Sequence, residues 1–94
     1  MNSIEEALAD YILTLDTSFN NCHRAEDRPS YTMHLAAGAV MFASYTKTKS
    51  IAKLKELVAE EGKGYGRSFL ANDEGTKAEN AFHKFAVMIE SLKP

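Results

Sequence analysis

Tyr31-Thr-Met-His-Leu-Ala-Ala-Gly-Ala-Val-Met-Phe-Ala-Ser-Tyr45 is the stretch that decides the fold. Wound at 3.6 residues per turn, it places apolar or small side chains on nearly every side, the pattern of a helix packed against several neighbours. A strand over 39–45 is the competing reading, but the alanine content and the length of the run favour helix. Pro29 suits a first helical turn, where its missing N–H costs nothing, and Arg28 before it is biased away from the α region. A helix is therefore expected over 29–46. Ala36, Ala37, Gly38, Ala39 and Ala43 make it slim enough for a neighbour to approach closely.

Working outward, the preceding segment sets Ile4, Leu8, Tyr11, Ile12, Leu15, Phe19 and Cys22 three and four residues apart, on one face of a helix. Ser3 with Glu6 reads as its capping box, and its end is expected near Arg24. On the far side, Ser50 is a candidate N-cap for a third helix whose buried stripe is Ile51, Leu54, Leu57 and Val58. Glycine after a periodic run is the usual stop, so Glu61-Gly-Lys-Gly-Tyr-Gly66 is expected to end that helix. Arg67 to Ala71 reads as a further helical turn and residues 72–75 as a turn. Thr76 and Glu79 form another capping box, opening a last helix that buries Ala78, Phe82, Phe85, Ile89 and Leu92. Four helices joined by short connections predict an all-α, compact four-helix bundle-like single domain spanning residues 1–94.

Composition agrees with one small core and narrows the function. The 94 residues are 45% hydrophobic and 26% charged, and Cys22 is the one cysteine. That excludes an intrachain disulfide framework and argues against a cysteine-rich zinc module. No apolar run reaches the roughly 20 residues of a membrane span, and the acidic start does not resemble a secretion signal, so a cytoplasmic protein is expected. Eleven Lys and Arg against thirteen Asp and Glu give a net charge of −2, which argues against a nucleic-acid partner. Lys47, Lys49, Lys53 and Lys55 form a local basic stretch without interleaved aromatics, as a solvated face would. The first twenty residues carry Glu5, Glu6, Asp10 and Asp16 and no basic side chain; that polarity can steer a charged partner or align two copies of the chain.

Three groups of residues are candidates for chemistry. Gly62, Lys63, Gly64 and Arg67, with Arg24 or Arg28 from a neighbouring turn or subunit, can hold a phosphate or carboxylate if the glycines form an open loop. The plainer reading is a helix stop with Tyr65 and Phe69 on the core; neither the Walker nor the dinucleotide pattern is present. Tyr31 and His34, three apart on one helix face, can share a proton in acid–base chemistry. Against that, His34 reads equally as a core histidine hydrogen-bonded to Tyr31 or to a carbonyl. His23, His34 and His83 lie on separate elements without ligand spacing, so no metal site or cofactor is predicted. The surplus of apolar surface on the second helix predicts a homodimer or higher oligomer acting as a protein-interaction module. Binding of a small anionic ligand or nucleotide at 62–68 is the alternative. A Tyr31–His34 enzyme ranks third.

Overall fold

The computed structural model describes residues 2–68 and 73–93, without the side chains of residues 66–68. The chain runs α1 (Ser3–Asn20), a single 3-10 turn (Ala25–Asp27), α2 (Arg28–Thr48), α3 (Ile51–Ser68) and α4 (Asp73–Glu90). Among the described residues there is no strand. α1 packs on α2 and α4, and α3 packs on the same two, so α1 and α3 face each other across a diagonal.

Local chemistry sets the helix ends, not always where the sequence pattern put them. α1 is capped by Asn2, whose Oδ1 accepts from the Glu5 N–H at 2.9 Å, one residue before the expected Ser3. Glu5 does not close a capping box; its carboxylate pairs with Lys49 at the other end of α2. α1 stops at Asn20 rather than near Arg24, because the Asn21 and Cys22 N–H groups turn back to Thr17 and Phe19 carbonyls. Ser50 caps α3 as its position suggests, its Oγ accepting from the Lys53 N–H at 3.1 Å. α4 opens at Asp73 instead of Thr76, with Asp73 and Glu74 in the first turn, where the helix dipole favours negative charge.

The up-down-up-down course follows from contacts at the two ends. At one end Asn2 donates to the Tyr45 hydroxyl at 3.3 Å. At the other, Phe19 meets Tyr31 edge-on and the Ser18 hydroxyl donates to the Glu74 carbonyl at 3.1 Å. The core between them buries Leu8, Tyr11, Leu15, Met41, Leu54, Val58, Phe82, Phe85 and Ile89. α1 and α2 come unusually close at Gly38, where a Cβ would stand 2.9 Å from Ile12 Cγ1.

The largest departure from the sequence reading lies in α3. Residues 62–68 are not a loop: the helix continues through Gly62, Gly64 and Gly66 to Ser68. Glycine lowers helix propensity by about 1 kcal/mol per residue, but packing overrides it here. The stripe Leu54, Val58, Glu61, Tyr65 keeps its 4-3-4 spacing straight across the glycines, and all four side chains are buried.

Candidate functional site

That continued stripe assembles a polar line inside the core which residue types alone did not reveal. His34 on α2 is only 1% exposed, and its Nδ1 lies 2.9 Å from Glu61 Oε2 on α3. A carboxylate only accepts, so Nδ1–H donates. One turn further along α3, the Tyr65 ring stacks on the imidazole with centroids 3.9 Å apart. The Tyr65 hydroxyl then meets that of Tyr11 on α1 at 2.5 Å, bridging the diagonal of the bundle. Burial pushes the Tyr11 phenol up, as do its Tyr65 neighbour and the Glu61 charge. Burial likewise pushes Tyr65 up and Glu61 adds to it, while the hydrogen bond with Tyr11 works in the opposite direction. Both phenols are therefore neutral hydrogen-bonding groups at ordinary pH. No buried side-chain N or O among the described residues is left without a partner.

The glycines make room for this line. A Cβ on Gly64 would lie 3.3 Å from His34 Cε1, so the close approach of α3 to the imidazole depends on glycine there. Gly62 is less constrained: a Cβ would meet the Phe82 ring at 3.7 Å, an ordinary contact.

The other nominated residues are dispersed. Because 62–68 is helical, its interior N–H groups belong to the helix and cannot cradle a phosphate. Lys63 is exposed and pairs with Glu60 one turn earlier, and the Arg67 side chain lies outside the described residues. Arg24 pairs with Glu26 at 2.9 Å and Asp27 at 3.5 Å, and the Arg28 guanidinium lies 4.1 Å over the Phe19 ring. Tyr31 shares a helix face with His34 and is equally buried, packed against Phe19 at the end of the bundle. There it lines an open cleft of about 480 Å³ with Cys22, His23, Arg24, Asp27 and Glu74. Burial, then nearby Cys22, Glu74 and Asp27, push its phenol up to about 12. His34 is not part of that cleft, so the two groups do not face one bound substrate. Among the described residues no three His, Cys, Asp or Glu side chains are arranged to hold a metal ion. The basic stretch is partly spent within the molecule, with Lys49 on Glu5 and Lys53 on Glu56.

Among the described residues four large apolar side chains are exposed: Leu13 on α1, Val87 on α4, and Met33 and Val40 on α2. Met33 and Val40 are 58% and 55% exposed, and exposed Ala36 and Ala43 continue the same stripe at 3-4-3 spacing. Val40 also borders a shallow groove of about 220 Å³ between α2 and α3, shared with Ala37, Met41 and Leu57 and edged by Glu60 and Glu61. α2 carries no Asp or Glu along its whole length. No helix among the described residues is long and apolar enough to cross a membrane.

Comparison with known proteins returned no matching family model, no curated protein and no solved structure.

Proposed function

We propose that this chain is a small helical interaction module, that its working surface is the outer face of α2, and that it associates there with a second copy of itself. The observation that carries the reading is the exposed stripe Met33–Ala36–Val40–Ala43 beside the apolar α2–α3 groove. Fully burying a methionine or valine side chain stabilises by about 1.5–3 kcal/mol, and these two are more than half exposed in the single copy. A monomer gains nothing from holding such groups in water in line on one face. The polar line of His34, Glu61, Tyr65 and Tyr11 supports the face from behind, locking α2 to α3 and α3 to α1. The same reading sets the chain in the cytoplasm, where a free thiol such as Cys22 stays reduced.

Multi-angle light scattering across a concentration series tests the proposal. The mass is expected to rise toward twice that of the monomer, and Val40→Glu is expected to hold it at the monomer value. A wild-type chain that stays monomeric at about 100 µM, far above a micromolar Kd, would contradict it. The anion-binding alternative now rests on the side chains of Lys63 and Arg67. A thermal shift on adding inorganic phosphate that disappears in Arg67→Ala would favour that alternative.

A further inference from the structure

We infer that the groove between α1 and α4 is a binding site for a small aromatic zwitterion, of the size and charge of a free aromatic amino acid. The groove shares no residue with the α2 face or the α2–α3 groove, so it stands whether or not the chain self-associates. α1 and α4 pack directly on each other, and the groove along their seam holds about 260 Å³. Pockets for drug-sized ligands begin at about 300 Å³, so this one suits a molecule of amino-acid size.

The floor is made by the core. Tyr11 on α1 and Phe85 on α4 line it with their rings parallel to within 3° and their centroids 5.9 Å apart. Both residues are buried, and the Tyr11 hydroxyl is taken up by Tyr65, so the surface they offer the groove is aromatic and apolar. A third ring laid on such a pair gains from edge-to-face or offset contact beyond its buried area. Ala7 and Ala81, one on each helix, are half-buried walls of the groove. A longer side chain at either position would occupy the space that a ligand ring needs.

The rims choose the charge of the occupant. Asp10 lines the groove from α1 and Lys84 from α4, and both are exposed. Among the described residues neither forms an ion pair, with the other or with any neighbour. Lys49, Lys53, Lys63 and Lys77, by contrast, each hold a carboxylate of this chain. A ligand ammonium donates to Asp10 and a ligand carboxylate accepts from Lys84, so a molecule carrying both groups on an apolar body meets both rims at once. A ligand with one charge leaves one rim unused.

Amide NMR titration with L-phenylalanine tests the assignment. Phenethylamine, which lacks the carboxylate, and hydrocinnamate, which lacks the ammonium, are the single-charge controls. L-Phenylalanine is expected to bind with a Kd of about 1 mM or tighter, shifting the Ala7 and Ala81 amides. Each control is expected to bind about fivefold more weakly, the size of one exposed ion pair. Asp10→Asn then removes the preference over hydrocinnamate, and Lys84→Gln removes the preference over phenethylamine. Both side chains are exposed, so these two variants keep the fold. Ala81→Leu, with its fold checked by circular dichroism, is expected to abolish binding. No saturable shift up to about 20 mM, equal binding of the three compounds, or preferences that survive both charge variants would overturn the assignment. Binding that a folded Ala81→Leu variant leaves intact would overturn it as well.

Discussion

Replacing Gly62 and Gly64 by alanine, one at a time, separates a helical course from a loop over this stretch, and the two are expected to act in opposite directions. In a helix interior, glycine to alanine stabilises by about 0.5–1 kcal/mol, because the alanine chain has less backbone freedom to lose. At Gly62 the new methyl meets Phe82 Cε2 and Cζ at 3.7 Å, so no strain offsets that gain. For a chain of this size 1 kcal/mol corresponds to about 4–8 °C, and Gly62→Ala is expected to raise the Tm by about 2–8 °C. At Gly64 the methyl would lie 3.3 Å from His34 Cε1 and 3.6 Å from Glu61 Oε1. The imidazole cannot slide away freely, being hydrogen-bonded to Glu61 and stacked on Tyr65. Overpacking costs about 1–3 kcal/mol, which cancels or exceeds the propensity gain, so Gly64→Ala is expected to leave the Tm unchanged or lower it. Thermal unfolding followed by circular dichroism reads both. A lowered Tm in Gly62→Ala, or equal stabilisation by both variants, would refute the account of α3 as a continuous helix built around His34.

Three further outcomes follow from the core. Glu61→Gln keeps an oxygen for His34 Nδ1–H and is expected to cost about 1–2 kcal/mol in urea unfolding, whereas Glu61→Ala, which takes the acceptor from the buried Nδ1–H and leaves a cavity, costs more, about 3–5 kcal/mol; equal losses would remove the hydrogen bond from the explanation. Gly38→Ala forces Ile12 Cγ1 away from a Cβ at 2.9 Å and is expected to lower stability by about 1–3 kcal/mol, and the double variant carrying Ile12→Ala, which removes Cγ1, is expected to lose less than the sum of the two single losses. The Tyr31 phenol is pushed up to about 12 when folded but ionises near its ordinary value of 10.0 when unfolded. Between those values the unfolded chain has lost a proton that the folded chain keeps, so stability is full below pH 10 and falls as pH rises. Tyr11 and Tyr65, raised in the same direction, add to the loss. A urea midpoint that does not change between pH 9 and pH 11 would contradict this.

The fold was legible because its main signals are local and repeat. The stripe from Ile4 to Phe19, the apolar run from Tyr31 to Tyr45 and the stripe from Ala78 to Ile89 each state a helix and its buried face, and all three are helical. Ends were less legible, since Asn2 and Ser3 are both good caps and only the geometry of the Glu5 N–H chooses between them. The departure at 62–66 has a physical cause: propensity alone makes glycine a helix stop, whereas at Gly64 it is clearance for a neighbouring ring. The spacing of Leu54, Val58, Glu61 and Tyr65 carried the contrary signal, with a carboxylate at a core position marking the need for a buried partner. That this partner is His34, 27 positions away in the chain, depends on how α2 and α3 pack, which no local pattern specifies. Tyr31 and His34 show the reverse. Their spacing on one helix face was plain, and both are buried, yet Tyr31 packs beside Phe19 under the end cleft while His34 pairs with Glu61 and Tyr65.

Sedimentation velocity on wild-type protein and Val40→Glu, run side by side from about 1 to 200 µM, bears most directly on the surface assigned to α2. Val40 is 55% exposed, so the substitution is expected to leave the stability of the single copy within about 0.5 kcal/mol of wild type. The wild-type sedimentation coefficient should climb from the monomer toward the dimer value over this range, and that of Val40→Glu should stay at the monomer value throughout. Wild-type protein that remains monomeric at the top of the range, or a Val40→Glu variant that dimerises as well as wild type, would contradict the claim that this chain acts through the outer face of α2.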